Sequence, residues 1–336
     1  MLPEHMGDER FAWLDQWVLR PDKDIVKTHG SESNVKEIYD KCDELGLDPD
    51  VVVLNQFTEF ANYLVHRCVT GPSIEALFNS LPASGEKRLA AFIAGTGSAG
   101  TLAAGDYLKE KLGTKIVATE PLECPTMLQN RYGEHNIQGI GDKHIPLIQN
   151  VMNMDYVIGI SDANSDLLNV PFNSDQGRSH LSQSGLARGV DLDALGHIGL
   201  SGLANIQSAI KLSKHLSLGS DDILVCVATD GAALYRSEMN NTIELQLKGS
   251  CQATDFAEIR GRALSGCEPA HVLELTSRER ERIFNLEYYT WIEQRGVDVD
   301  DFDRRRDQGF WNGIAAQAGE LDERIVQFNS DTGLRH

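Results

Sequence analysis

The decisive stretch of this sequence is Phe92-Ile-Ala-Gly-Thr-Gly-Ser-Ala-Gly-Thr101, where an apolar run leads through a glycine-rich turn into a helical pattern. Such a turn lets several backbone N–H groups converge on one anion, and the N-terminus of the following helix adds partial positive charge. Thr96, Ser98 and Thr101 place three hydroxyl donors in the same turn. The stretch therefore predicts a phosphate site where a strand passes into a helix.

The same glycines permit a second interpretation. Gly95, Gly97 and Gly100 match the GxGxxG fingerprint of dinucleotide-binding proteins, and Glu120 ends the next predicted strand near the position of a ribose-binding acid. A turn of this kind can also join a strand to a helix without any ligand, although its glycines and hydroxyl residues exceed what a turn needs. Local spacing does not separate a phosphate monoester from a dinucleotide, so an NAD(P)-binding oxidoreductase remains an alternative.

Short apolar runs alternate with helical patterns on both sides of the turn. The runs are nearly continuous in apolar character, as in parallel strands that helices cover on both faces. The predicted strands are 51–54, 89–94, 115–119, 155–160 and 222–228, and the predicted helices are 63–80, 100–112 and 201–216. The pattern predicts an α/β fold with a large central sheet.

Composition narrows the class of partner. The 336 residues include 50 acidic and 31 basic side chains, which give a formal charge of −19 and argue against a nucleic acid partner. The sequence contains no run of about 20 apolar residues that could span a membrane, and its acidic start is unlike a signal peptide. The six cysteines and ten histidines show no metal-ligand spacing. We expect a cytoplasmic protein that binds a small molecule and no metal.

Four blocks along the chain form a wider pattern. They are Pro3-Glu-His-Met-Gly-Asp-Glu-Arg10; Asn55-Gln-Phe with Asn62, His66 and Thr70-Gly-Pro72; the glycine turn with Tyr107-Leu-Lys and Glu120-Pro121; and Gly199-Leu-Ser-Gly202 with Thr229-Asp-Gly231, Tyr235 and Ser237. In this order they resemble the cysteine synthase and cystathionine β-synthase family of pyridoxal-phosphate enzymes. Each block alone is weak, but together they identify the chain up to about residue 250 as similar to that family.

The resemblance implies a fold of type II, like the tryptophan synthase β-subunit, with pyridoxal 5′-phosphate as cofactor. It implies β-replacement or β-elimination on an amino-acid substrate and a homodimeric enzyme. Thr229 would face the pyridine nitrogen, and Gln56 would contact the substrate carboxylate. The remaining cofactor residues implied by the resemblance are Gly95, Thr96, Gly97, Ser98, Gly100 and Thr101 around the phosphate and Gly199 and Ser201 beside the ring.

The family's Schiff-base lysine lies in a motif upstream of the block that begins here at Pro3, and neither that motif nor the S-G-N-T-G loop after it occurs in this sequence. Lys143, beside the Gly139-Ile-Gly141 loop, is the least implausible substitute. We expect a natural polypeptide that starts upstream of Met1. The alternative is a true short chain, either a non-catalytic subunit or one that takes the lysine from a partner.

The predicted division has three parts. Residues 1–60 would be the remainder of a small N-terminal domain, 61–250 a large cofactor-binding α/β domain, and 251–336 an appended helical region outside the resemblance. Ala232 and Ala233 replace the family's Glu-Arg pair, which predicts a substrate side different from that of a standard cysteine synthase.

Overall fold

A five-stranded sheet forms the centre of the molecule. The computed structural model describes residues 1–31, 33–82, 84–185, 189 and 191–333. The strands of this described part are β1 Leu2–Pro3, β2 Lys27–Thr28, β3 Arg88–Gly95, β4 Lys115–Pro121, β5 Tyr156–Ile160, β6 Asp222–Cys226 and β7 Val272–Glu274. The main sheet has the order β6-β3-β4-β5-β7, with β7 antiparallel to β5 and the other pairs parallel, and β1 pairs with β2 separately.

Helices cover both faces of the sheet. Those of the described part are α1 Asp8–Leu14, α2 Pro21–Asp24, α3 Val35–Gly46, α4 Phe60–Val65, α5 Gly71–Ser80, α6 Leu102–Leu112, α7 Thr126–Gln129, α8 Asp162–Asn173, α9 Asp175–Gln183, α10 Leu200–Leu216, α11 Arg236–Gln246, α12 Ala253–Arg260, α13 Ser277–Tyr288, α14 Val299–Asp303, α15 Gln308–Ala315 and α16 Ala318–Thr332. A π-helical turn, His66–Thr70, joins α4 to α5, and another, Tyr289–Gln294, follows α13.

Strand β3 shows why the sheet is buried on both sides. Its alternate side chains face opposite layers, because successive residues of a strand point in opposite directions. Phe92 and Ala94 pack with residues of α6, whereas Ala91 and Ile93 pack with residues of α10, and all four are fully buried. This three-layer arrangement confirms the predicted fold class.

Two lysines of α10 fasten the connection that leads into β7. Lys211 is buried, and its Nζ donates to the carbonyl oxygens of Gly159 at 2.8 Å and Ala270 at 3.0 Å. Lys214 donates to the carbonyl of Cys267 at 2.8 Å. Burial lowers the pKa of Lys211. Carbonyl partners on two separate segments thus hold the antiparallel edge strand against the sheet.

The C-terminal helices pack into the same body as the sheet. Phe284, Trp291 and Phe302 belong to the main core cluster, and the buried carboxylate of Glu287 pairs with the buried guanidinium of Arg305. Within the predicted region 251–336 the described residues form helices α12 to α16 and also strand β7, and residues 334–336 lie outside the described residues. The division into three parts at residues 60 and 250 stays a prediction.

The strand predicted at 51–54 is wrong. This segment has no regular structure, and Val52 and Leu54 expose 83% and 86% of their surface. A β-branched run becomes a strand only where another strand offers backbone partners, and no described strand lies beside this one. The run instead lines a cavity of about 450 Å³ together with Leu2 and Cys42, which is called the second cavity below because it adjoins the candidate site.

Two tryptophans at the N-terminal end of the described chain lie on the surface. Trp13 of α1 exposes 49% of its surface and Trp17 exposes 71%, with ring centroids 5.7 Å apart.

Among the described helices, none combines the length and the apolar character needed to cross a membrane.

Candidate functional site

The carboxyl ends of β3 and β6 form a crevice. The chain leaves β3 toward β4 on one side, while β6 lies on the other side of β3. Ligands of open α/β sheets bind outside the strand ends at such a switch point. A cavity of about 270 Å³ lies there. Seven of the ten predicted site residues line it, namely Gln56, Gly95, Gly97, Ser98, Thr101, Ser201 and Thr229.

Thr96 and Gly199, two of the other three, hold the walls of the cavity through their backbones. The carbonyl of Thr96 accepts a hydrogen bond from the N–H of Gly141 at 2.7 Å. The N–H of Gly199 donates to the carbonyl of Asp230 at 2.8 Å. These bonds join the turn after β3 to the 139–141 segment and the start of α10 to the segment after β6.

The glycines of the turn allow close approach of neighbouring chain. A Cβ on Gly95 would lie 2.5 Å from Cγ2 of Ile140, and one on Gly97 would lie 2.8 Å from the carbonyl oxygen of Gly139. Gly100, the third site residue outside the lining, is crowded in the same way by a neighbouring side chain. The glycines therefore serve the packing of the turn as well as its open backbone.

Ala99 takes a left-handed conformation within the turn, with φ of 62°. This conformation brings the Cβ of an L-residue close to its own carbonyl and costs about 1–2 kcal/mol. Ala99 is also buried. The turn thus holds one methyl group at a strained backbone position, and Ala99 also lines the cavity.

His135 supports the opposite wall. Its Nε2 lies 2.8 Å from the carbonyl oxygen of Gly141. Burial lowers the pKa of His135 to about 4, so the ring is neutral near pH 7 and its Nε2–H donates this bond. His135 therefore fixes the position of Gly141, while Gly139 and Ile140 of the same segment line the cavity.

Two hydroxyl groups meet across the cavity from the glycine turn. The Oγ of Ser201, at the start of α10, lies 3.3 Å from Oγ1 of Thr229. The neighbouring carboxylate of Asp230 accepts from Arg10 at 2.6 Å and from the hydroxyl of Tyr235 at 2.9 Å. A neutral hydroxyl pair therefore stands where a ring nitrogen is expected, while the adjacent carboxylate is engaged by a cation.

Asn205 is a cavity residue that the sequence did not reveal. It lies one helical turn after Ser201 and exposes 2% of its surface. Its Nδ2 donates to the carbonyl of Val227 at 2.8 Å, while its buried Oδ1 has no partner among the described residues. Its helical spacing from Ser201 is the signal that could have revealed it. An orphaned acceptor in the wall of a cavity fits a ligand that carries a hydrogen-bond donor.

Asp142 was also missed, although it follows the Gly139-Ile-Gly141 loop directly. It lines the main cavity and the second cavity beside the 51–54 segment, and Gln56 and Phe57 do the same. The mouth of the site therefore carries a carboxylate beside an apolar surface.

The donor set suits a phosphorylated aromatic ring. The glycine turn supplies backbone N–H groups and the hydroxyls of Ser98 and Thr101, close to the N-terminus of α6. Ser201 and Thr229 offer hydroxyls at the other side of the same cavity. The residues present thus fit pyridoxal phosphate, apart from the amine that its aldehyde requires.

None of the residues that line the described cavity is a lysine. Lys143, the predicted substitute, directs its Nζ over the ring of Tyr132 at 5.4 Å, and neither residue lines the cavity. Lys211 is buried elsewhere by its two carbonyl partners. Within the described residues, no group of His, Cys, Asp or Glu is arranged to hold a metal ion.

Glu120 does not face the cavity as a ribose-binding acid would. Its carboxylate accepts from the backbone N–H groups of Met127 at 3.0 Å and Leu128 at 2.7 Å, at the start of α7. Burial raises the pKa of Glu120 to about 7, and the two N–H donors oppose this shift. The acid that made the dinucleotide interpretation attractive is therefore a buried helix cap.

Two further acids, the half-buried Asp162 and the buried Asp166, hold the loop that leads to the 139–141 segment. Asp162 accepts from the backbone N–H of Asn136 at 2.6 Å, and Asp166 accepts from the side-chain amide of Asn136 at 3.0 Å. Burial raises the pKa of each carboxyl to about 7, and the charge of Glu123 adds to the shift of both. These carboxyls serve the position of the loop and lie outside the cavity lining.

Known proteins resemble this chain in sequence. Cysteine synthase B of Campylobacter jejuni is 30% identical over 240 residues, which cover 70% of this chain and 69% of that protein. Cysteine synthase of Staphylococcus aureus is 33% identical over 161 residues, which cover 47% of this chain and 48% of that protein. The chain thus spans between about half and about two thirds of the curated relatives it matches. No protein-family model matches it.

Solved structures resemble the fold. A hydrogen sulfide-producing enzyme of Fusobacterium nucleatum superimposes with a TM-score of 0.55 at 22% identity, covering 82% of this chain and 72% of that one. At this identity the likeness establishes the fold alone. Its agreement with the relatives in sequence confirms the predicted family, and the comparisons do not favour the dinucleotide alternative.

Proposed function

The chain belongs to the cysteine synthase family of fold-type-II pyridoxal-phosphate enzymes, and from this premise we propose that it forms the cofactor-binding body of an enzyme that performs β-replacement or β-elimination on an amino acid. The observation that carries the proposal is the cavity at the ends of β3 and β6. One side of it is a glycine turn suited to a phosphate, and the other is a pair of neutral hydroxyls.

The glycine turn would hold the phosphate. Backbone N–H groups between Gly95 and Thr101, together with the hydroxyls of Ser98 and Thr101, would donate to its oxygens. The N-terminus of α6 would add partial positive charge. This matters in a chain with a formal charge of −19, because local N–H donors must bind the anion against an unfavourable overall field.

Thr229 would hold the ring nitrogen. A hydroxyl accepts or donates a hydrogen bond there but supplies no charge, so it leaves the nitrogen unprotonated more readily than a carboxylate would. Asp230, the nearest carboxylate in sequence, is paired with Arg10 at 2.6 Å. The bound cofactor supplies an electron sink for breaking bonds at the α- and β-carbons of an amino acid.

Gln56 would orient the substrate. It lines the cavity beside Phe57 and Asp142, on the side that opens into the second cavity. A side-chain amide there would donate to the substrate carboxylate. The lysine that moves the α-proton in this family is a component that the described cavity does not contain, so full activity requires an amine from elsewhere.

We further propose a homodimer and a cytoplasmic location. Exposed apolar side chains such as Trp17 and Leu54 support association, and the similarity to cysteine synthases supports the location. Light scattering of the purified protein would measure the first, and fractionation of source cells would measure the second.

Binding of pyridoxine 5′-phosphate tests the cofactor site, because this probe carries the ring and phosphate but no aldehyde that surface lysines could capture. We expect calorimetry to detect one site, which inorganic phosphate competes for. Thr101→Val should weaken binding about fivefold through loss of one hydrogen bond.

Thr114→Val is the matched control. Thr114 is buried at the opposite end of the sheet, before β4, and its hydroxyl has no partner among the described residues. Its replacement should leave binding unchanged. Tighter binding of NADH than of pyridoxine 5′-phosphate at the same site would overturn the proposed function.

A further inference from the structure

Asn62 of α4 connects the glycine turn to the segment that carries Gln56. Its Nδ2 donates to the backbone carbonyl of Gln56 at 3.0 Å and to Oγ of Ser98 at 3.3 Å. Both acceptors belong to the walls of the cavity, Gln56 on the substrate side and Ser98 on the phosphate side. One amide nitrogen therefore donates one N–H group to each half of the predicted site.

The orientation of this amide is determined by its partners. The carbonyl of Gln56 can only accept, so the NH₂ group of Asn62 must face it. The Oδ1 of Asn62 then faces Gly100, where a Cβ would lie 2.3 Å away. Gly100 thus leaves the space in which the amide carbonyl sits, which explains a glycine at a position with no left-handed backbone.

This orientation decides what Ser98 can do. Because the N–H of Asn62 donates into a lone pair of its Oγ, Ser98 is the acceptor in that bond, and its own O–H must point in another direction. Ser98 lines the cavity. Because the hydroxyl of Ser98 accepts from Asn62, its proton remains available for donation to an anion in the cavity.

Helix α4 is held firmly enough to impose this geometry. Tyr63, next to Asn62, packs against Trp311 of α15 with ring centroids 4.9 Å apart. The hydroxyl of Tyr63 donates to the buried carboxylate of Asp106 on α6 at 2.8 Å. Phe60 also contacts Trp311, at 5.9 Å. The C-terminal helices thus support the element that carries Asn62.

We propose that Asn62 is a positioning residue that orients the hydroxyl of Ser98 toward the cofactor phosphate. The inference deepens the proposed function and rests on it, since it concerns the same phosphate. It assigns to the C-terminal region a supporting role for this helix.

Three variants separate orientation from space filling. Asn62→Ala removes the donor and lets the Ser98 hydroxyl turn away, so inorganic phosphate and pyridoxine 5′-phosphate should both bind about fivefold more weakly. Asn62→Asp keeps the shape but accepts the Ser98 proton instead of donating, so the loss should exceed that of Asn62→Ala. Asn241→Ala, an exposed residue of α11, is the control and should bind like the wild type.

A double-mutant cycle locates the effect in Ser98. Ser98→Ala alone should weaken phosphate binding about fivefold, and Asn62→Ala should add little in that background, because both remove the same donated hydrogen bond. Gly100→Ala gives a second approach if the Asn62 variants unfold, since its methyl group displaces the amide while keeping the loop N–H. It should weaken phosphate binding as Asn62→Ala does.

The outcomes are distinct. If the wild type binds neither probe, the proposed function fails and this inference fails with it. If the wild type binds both probes, and the folded variants Asn62→Ala and Asn62→Asp bind them as tightly as the wild type does, the inference alone is refuted. Additive losses in the cycle with Ser98→Ala would also refute it, because they would place the effect of Asn62 outside the serine.

Discussion

Removing the carboxylate of Glu287 should destabilise the protein by about 3–5 kcal/mol. Glu287 and Arg305 pair in the interior, with side-chain exposures of 0% and 2%. The guanidinium carbon of Arg305 lies 5.2 Å from the ring centre of Phe284 and 4.8 Å from that of Phe302. Glu287→Ala would leave a cation among aromatic rings without its counter-charge, which is the costly state.

Replacement of both partners should behave differently. Oε1 of Glu287 and both Nε and Nη1 of Arg305 have no hydrogen-bond partner among the described residues, so the pair does not recover all of its desolvation cost. Two apolar side chains of similar volume should therefore restore most of the loss. We expect the double variant Glu287→Leu with Arg305→Met to lie within about 1–2 kcal/mol of the wild type.

Urea unfolding followed by far-ultraviolet circular dichroism measures these differences as shifts in midpoint at constant slope. Glu320→Ala is the control, because Glu320 and Arg324 form a pair on the surface with exposures of 63% and 73%, and its loss should cost less than about 1 kcal/mol. A cost below about 1 kcal/mol for Glu287→Ala, or a double variant as unstable as the single one, would refute the reasoning.

Three further outcomes are expected. Thr229→Val should weaken pyridoxine 5′-phosphate about fivefold in calorimetry and leave inorganic phosphate unchanged, since only the former carries a ring; equal losses for both probes would contradict this. Asp166→Asn should flatten the pH dependence of stability. Burial raises the pKa of Asp166 from its ordinary value of 3.8 to about 7, so the folded state holds a proton that the unfolded state releases, and wild-type stability falls as pH rises through that window; urea midpoints at pH 5 and pH 8 measure the difference, and an equal change in midpoint for both proteins would count against it. Ala99→Val should lower the free energy of unfolding measured in urea by about 2 kcal/mol or more, because a β-branched residue is strained at φ of 62° in a buried turn, whereas Ala99→Gly should not.

The geometry of the glycine turn was predictable because its determinants lie close together in the sequence. A strand, three glycines and a helix occupy consecutive residues, so the sequence from Phe92 to Leu112 contains both the elements and their order. The family blocks then placed Ser201 and Thr229, whose hydroxyls lie 3.3 Å apart although 28 residues separate them. Arg10 and Asp230, which belong to the first and last blocks, likewise meet in the structure.

The missed features depend on contacts between distant segments. Glu120 matches a ribose-binding acid by spacing, but the backbone N–H groups that bind it belong to a helix whose position spacing does not reveal. The 51–54 run has strand composition but no neighbouring strand. Strand β7 has only three residues, and its pairing with β5 and the bond from Lys211 of α10 to the preceding connection both join segments that lie far apart in the sequence. The contact of Trp311 with Tyr63 spans most of the chain.

The four tryptophans form two pairs that differ in solvent exposure. Trp13 and Trp17 are exposed, whereas Trp291 and Trp311 each expose 1% of their surface within the C-terminal half. Acrylamide should quench the emission of the first pair and spare the second. The remaining blue-shifted emission would come from Trp291, which packs against Tyr39 of α3, and from Trp311, which packs against Tyr63 of α4. Without an added dye, the emission of Trp311 therefore reports on the surroundings of the helix that carries Asn62.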